Sequence, residues 1–218
     1  MEQRRHSYLH VNDKALHNEL TRIVFRNLVP VSVGLGVLFL AFAISHLLVL
    51  PASTAAIMSP IAGATSAVLF VLTVLLKRHL LPSRWSHAIG AGIAGLVLLN
   101  SLLHLALTAD LKQTTNLLLL IVGIGSLFLS TPWLVLSIGT TLVSWGIVVL
   151  ARPTLTAAYR SAALHYGIAL ISATALSLIV YFVKIRRIRE MQRLRQRDEQ
   201  RKRVLSDALQ TAQENEER

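Results

Sequence analysis

Ala175-Leu-Ser-Leu-Ile-Val-Tyr-Phe-Val-Lys-Ile-Arg-Arg-Ile-Arg189 decides the fold of this chain. The segment passes from wholly apolar to strongly basic without a Gly, a Pro or a turn residue, so one helix carries both halves. Working back from Val183, the apolar stretch reaches Ala162, about the twenty residues needed to cross a bilayer core. Working forward from Lys184, charged residues continue to Arg218, with apolar residues recurring every three or four positions up to Leu194 and again from Leu205 to Ala212. A membrane span fused to a polar rod is the arrangement that carries a bilayer event to something in the cytoplasm.

The composition agrees with a membrane protein. Of 218 residues, 53% are hydrophobic, the mean hydropathy is +0.56, and the apolar residues come in blocks of bilayer length. The net charge of +11 does not point to nucleic acid, because Lys and Arg cluster at the ends of the apolar blocks, where they set topology and meet anionic headgroups. The absence of Cys excludes disulfides, thiolate metal sites and thiol chemistry. The first apolar block starts only at Leu28, and no small-residue cleavage site follows it, so it reads as a retained signal anchor.

Six spans are expected: Leu28–Leu50, Ala55–Leu76, Ser86–Leu107, Thr115–Ser130, Trp133–Leu150 and Ala162–Val183. The fourth and fifth are the shortest and are separated by a tight turn at Ser130-Thr-Pro-Trp133. One helix from Thr115 to Leu150 would be roughly 54 Å long, too long for one crossing, and Pro132 is a natural break. Charge gives the same count. With both termini inside, the cytoplasmic face holds Arg4, Arg5, Lys14, Arg22, Arg26, Lys77, Arg78, Arg84 and ten Lys or Arg between Lys184 and Arg203; the outside holds Lys112, Arg152 and Arg160. An odd number of spans would place one basic terminus outside. The expected fold class is therefore an all-α membrane protein, a six-transmembrane-helix bundle with a C-terminal cytoplasmic helix, in three parts: a juxtamembrane arm (1–27), the bundle (28–183) and a signalling helix (184–218).

In the arm, Asn12-Asp13 caps a short helix whose Leu16, Leu20 and Ile23 share a face, expected to lie on the inner leaflet. After the last span, Met191, Leu194, Leu205, Ala208 and Ala212 fit one a/d register, with Asp198 and Arg201 at the intervening a and d positions. Polar seam residues weaken a coiled coil but fix register and partner number, which predicts a marginal parallel homodimer. Ile185 and Ile188 follow a different phase, where rotation or sliding can be absorbed. The alternative is a solvated helical tail.

Polar side chains within the spans are few. His46, His104 and His165 fall at one depth, about a turn inside the outer ends of the first, third and sixth spans. Asn100 lies one turn from His104 on the same face, Asn116 opens the fourth span, and Asp110, Gln113, Tyr159 and Tyr166 are close by. Groups at membrane depth are costly unless paired or hydrated. Either each His snorkels separately, or His46, Asn100, His104, Asn116 and His165 form a pocket for a small ligand or for protons. A third reading, a metal or haem held by two of the imidazoles, lacks any local metal-binding spacing, and no cofactor is expected. Gly90-Ala-Gly-Ile-Ala-Gly95 satisfies GxGxxG but lies inside a span, without the strand and aqueous crevice that a dinucleotide site needs. Those glycines, with Gly34, Gly36, Gly63, Ala67, Gly123 and Gly125, are expected at close helix contacts. No carboxylate lies inside any span, which argues against hydrolase chemistry. Polar groups at one edge rather than at the midplane argue against a transport path.

The basic arm, the short-looped spans, Leu98-Leu-Asn-Ser-Leu-Leu-His104 followed by Asp110-Leu-Lys-Gln-Thr-Thr-Asn116, then Leu164-His-Tyr-Gly-Ile-Ala and Ile185-Arg-Arg-Ile-Arg together resemble the N-terminal membrane input regions of bacterial diguanylate cyclases and sensor histidine kinases. The closing Ala208-Leu-Gln-Thr-Ala-Gln-Glu-Asn-Glu-Glu-Arg218 looks like a helix leading into an output domain, and the layout is similar to the six-span anchors of membrane adenylyl cyclases. The resemblance implies a bacterial inner-membrane sensory module that dimerises and hands a conformational change to a cytoplasmic output domain of PAS, GGDEF, kinase or cyclase type. The chain itself is expected to be catalytically silent. A passive anchor, or a small transporter-like or haem-carrying protein, are the alternatives.

Overall fold

A computed structural model describes residues 13–152 and 156–216. The arm residues Arg4, Arg5 and Asn12 lie outside the described residues, as do the side chains of Leu16 and Ala212. Among the described residues all regular structure is helical: α1 (Asp13–Val49), α2 (Ala52–Lys77), α3 (Ser86–Thr108), α4 (Thr114–Leu127), α5 (Thr131–Leu150) and α6 (Ala157–Glu216), with single 3₁₀ turns at Ser83–Trp85 and Leu111–Gln113. Connections this short force successive helices to run antiparallel, giving the bundle two well-separated ends.

The six expected apolar segments each correspond to a helix, with two differences in extent. The arm does not form a separate surface helix, because α1 runs unbroken from Asp13 through Leu28 and Val24 and Leu28 are fully buried in the bundle. The fourth helix stops at Leu127, three residues short of expectation, and has 14 residues. Five helices, not six, are long and apolar enough by themselves to cross a membrane. The chain between α4 and α5 is extended at Phe128 and Ser130, and Phe128 is fully buried, stacked on His87 at 6.2 Å and packed beside Gly90. Burial of that ring fixes the break.

α1 packs most extensively on α2, and α4 on α6. Between α1 and α2, Ser66 Oγ donates to the Gly36 carbonyl and Ser59 Oγ to the Ala43 carbonyl, both at 2.7 Å. Seven residues on along α1 is seven residues back along α2, so the pair keeps one antiparallel register over two turns. Small residues allow that approach, and hydroxyls bonded across it satisfy groups that lipid cannot. Gly125 on α4 allows a close approach to Ser177 on α6: a Cβ at Gly125 would come within 2.8 Å of the Ser177 carbonyl carbon. Gly36 and Gly90 are likewise tight against Phe70 and Phe128, at 3.1 and 3.3 Å from an added Cβ. Gly34, Gly92, Gly95 and Gly123, expected at close contacts too, face open space, since an added Cβ meets nothing within 4 Å.

α4 sits at the centre. Leu117, Ile121 and Ile124 are almost completely buried and join Leu134 and Ile138 of α5 with Leu170, Ala173, Tyr181, Ile185 and Ile188 of α6 in one cluster that also takes in Val24 of α1. Trp145 Nε1 donates to Thr114 Oγ1 at 3.1 Å, and the Thr131 and Tyr181 hydroxyls bond at 2.7 Å. Arg152 donates to the Leu105 and Ala106 carbonyls at 3.0 and 2.6 Å, placing a cation at the C-terminus of α3, where the helix dipole favours it. α6 continues without interruption for 60 residues, about 90 Å at 1.5 Å per residue.

Candidate functional site

Between α1 and α4, floored by α3, lies a cavity of about 1000 Å³, at the upper end of ordinary ligand pockets. Its lining on α1 runs from Asn27 to Leu50, about 35 Å along the helix. The middle is apolar, with Leu35, Leu38, Val97, Leu119 and Leu120 among its walls. Leu38 is 44% and Leu119 69% exposed, so the cavity is a groove that opens sideways between α1 and α4.

One end of the groove gathers polar groups. His46 from α1, Asn100 and His104 from α3, and Gln113 and Asn116 at the start of α4 all line it. The two imidazoles meet edge to face with ring centroids 5.2 Å apart, and Phe42 stacks on His46. Asn100 Nδ2 donates to Thr65 Oγ1 at 2.8 Å and to the Leu96 carbonyl at 3.0 Å. Because Leu96 O can only accept, the amide orientation is fixed and Oδ1 is left facing away from these partners. Asn116 Nδ2 bonds Gln113 Oε1 at 3.3 Å. His46 Nδ1, Asn100 Oδ1 and His104 Nε2 are buried without a hydrogen-bond partner, which concentrates three uncompensated polar atoms at one place in the fold.

Four of the five expected pocket residues, His46, Asn100, His104 and Asn116, therefore share one cavity, and His165 does not. The packed face of α6 runs through Leu170, Ala173, Ser177 and Tyr181, and steps of three and four residues extend it back to Tyr166 and Gly167. His165 lies off that stripe, exposed, with its ring edge to face on that of its neighbour Tyr166 at 5.8 Å. Asp110 caps the 3₁₀ turn, its Oδ1 accepting from Lys112 N at 3.0 Å, and Tyr159 and Tyr166 belong to a separate cluster around Leu105 and Val149. No group of three or more His, Asp or Glu side chains converges as a metal site among the described residues.

The other end of the groove holds groups that the sequence did not single out. Asn27, Ser126 and Lys184 line it, and Lys184 Nζ donates to the Ser126 carbonyl in the last turn of α4, where the helix leaves carbonyls open and favours a cation. No carboxylate lies within ion-pair distance of Lys184 among the described residues. Burial lowers the ammonium's pKa from the ordinary lysine value. The sequence signal for this site was the first charge after the apolar run; the partner helix to which that lysine turns is a tertiary property.

Along α6, the handover from bundle to rod is sharp. Ile185 and Ile188 are 9% and 7% exposed, whereas Met191, Leu194 and Leu205 are 50% to 63% exposed. The change of apolar phase thus marks where the helix stops packing on its own bundle. Asp198, Arg201 and Ala208 are exposed as well.

Comparison with protein-family models, curated proteins and solved structures gives no match for this chain.

Proposed function

We propose that the chain is the membrane input module of a bacterial signal-transduction protein, crossing the inner membrane six times with both termini in the cytoplasm. It works as a parallel dimer that transmits a change in the bundle along α6 to a cytoplasmic output domain. The observation that carries this reading is the unbroken α6: one helix has Leu170, Ser177 and Tyr181 buried in the bundle, Lys184 in the groove and Leu194 and Leu205 exposed on the rod.

Six crossings are compatible with the short fourth helix. Fourteen helical residues give roughly 21 Å, and the extended residues 128–130 add about 10 Å, together close to the roughly 30 Å of a hydrocarbon core. Phe128 and Leu129 are buried, which is where non-helical backbone is tolerated at membrane depth. The input is a ligand or proton that favours one of two arrangements of the groove, and a switch needs such differential binding.

A fusion of the chain to a reporter cyclase tests the reading. Deleting seven residues, 195–201, preserves the heptad phase and is expected to leave output near that of the parent fusion. Deleting four, 195–198, rotates everything downstream by about 40° relative to the parent helix and is expected to change output by several-fold. Equal output from all three fusions would identify a passive anchor.

A further inference from the structure

The groove's two ends differ in kind. At the His46 end the polar groups are amides and imidazoles; at the other, Lys184 is the only lining Lys or Arg among the described residues. A half-buried ammonium whose one hydrogen bond among the described residues goes to a helix-end carbonyl, with no carboxylate beside it, keeps two N–H donors and its charge available to an anion. Directly beside it begins an apolar channel that opens sideways between α1 and α4.

Two glycines shape that channel. Gly34 and Gly123 both line it, and a Cβ on either meets nothing within 4 Å, so neither serves a helix contact. Each lies within a short distance along its helix of the polar residues at the Lys184 end, Asn27 and Ser126 respectively. They widen the groove where a chain leaving the ammonium would pass. A single positive charge calls for a head with a single negative charge, and the apolar walls call for a long hydrocarbon tail beside it.

We propose that this groove binds one long-chain fatty acid, with its carboxylate on Lys184 Nζ and its tail lying between α1 and α4 over α3. The assignment rests on the bilayer-spanning reading above and adds the ligand's chemical class. It also places the ligand's charge at the first residue after the sixth apolar stretch, so that occupancy competes with the Ser126 carbonyl for the same ammonium.

Oleate, methyl oleate and phosphatidylglycerol are the probes. The full chain is placed in phosphatidylcholine nanodiscs and released for native mass spectrometry, which counts bound adducts. The expected result is one oleate per chain, with methyl oleate weaker by about ten-fold and Lys184→Met losing about as much for oleate, since a charge-assisted hydrogen bond contributes on the order of a decade in affinity. Gly123→Leu, which fills empty space and replaces a helix-destabilising residue, is expected to fold and to reduce binding of oleate and methyl oleate alike. Equal affinity for oleate in Lys184→Met and the parent chain, or an unaffected Gly123→Leu variant, overturns the assignment. So does retention of phosphatidylglycerol in place of oleate with the same dependence on Lys184, which would make the occupant a bilayer lipid. Because binding is read directly, a negative result here leaves the reporter-fusion test of signalling intact.

Discussion

Gly125 of α4 is seated against the backbone of Ser177 on α6, so close that a Cβ at position 125 would lie 2.8 Å from the Ser177 carbonyl carbon. Real Cβ atoms do not approach that closely, and the obstacle includes the Ser177 backbone as well as its hydroxyl. Gly125→Ala must therefore push α4 off α6. Overpacking of this sort costs about 1–3 kcal/mol, against which the better helix propensity of Ala returns up to about 1 kcal/mol. Net destabilisation is expected for Gly125→Ala and slight stabilisation for Gly92→Ala, whose Cβ meets nothing. Reversible unfolding in mixed micelles compares the two, and equal midpoints would show that the α4–α6 contact is not tight.

The amide of Asn100 ties α3 to α2 through Thr65 Oγ1 at 2.8 Å. Both residues are buried, at 5% and 4% exposure. Side-chain hydrogen bonds between membrane helices average about 0.6 kcal/mol in double-mutant cycles and reach about 1.7. A cycle of Asn100→Ala and Thr65→Val is expected to give a coupling in that range, and a value indistinguishable from zero would mean that the two side chains do not act together. Asn100→Ala should cost more than the coupling alone, because it also removes the bond to Leu96 O and opens a small cavity at the floor of the groove.

These two sites show how far the sequence could be read. The continuity of α6 was legible because nothing between Ala175 and Arg189 can end a helix, and the helix count followed from apolar block length and Pro132. The early end of α4 was not, since Phe128 and Leu129 are as apolar as the residues before them; the extended backbone follows from burying Phe128 against His87 and Gly90. Depth along a helix was recoverable from topology, which is why His46, Asn100, His104 and Asn116 converge. Facing direction was not, and it separated His165 from the other histidines. The same limit applied to the glycines: composition marks Gly123 and Gly125 alike, and only the packing shows that one meets α6 and the other empty groove.

The phase change in α6 makes a prediction about the dimer seam. Ile188 is buried against its own bundle, whereas Leu194 and Leu205 are 58% and 63% exposed. The chain has no native Cys, so single substitutions report without background. Oxidative crosslinking in membranes is expected for Leu194→Cys and Leu205→Cys and not for Ile188→Cys. Crosslinking at all three would place the seam along the whole helix, and crosslinking at none would leave the rod monomeric. Arg201→Leu, which replaces a charged seam position by an apolar one, is expected to strengthen the crosslink at Leu205→Cys if the a/d register is right.

The crossing of α4 decides the topology of everything after it. If residues 114–130 traverse the bilayer, Lys112 and Ala151 lie on the same side, and the rod emerges on the other. If they do not, α5 starts on the side where α3 ended, Ala151 falls opposite Lys112, and the rod with its ten basic residues between Lys184 and Arg203 is exported against the charge bias that orients membrane proteins. Lys112 and Ala151 are both exposed at loop positions, so Lys112→Cys and Ala151→Cys should leave the core intact. A membrane-impermeant maleimide applied to intact cells is expected to label both and to leave Gln200→Cys in the rod unlabelled until the membrane is opened. Labelling of Lys112→Cys without Ala151→Cys would reduce the count to five crossings, matching the five helices that are individually long enough, and would place the rod outside the cytoplasm.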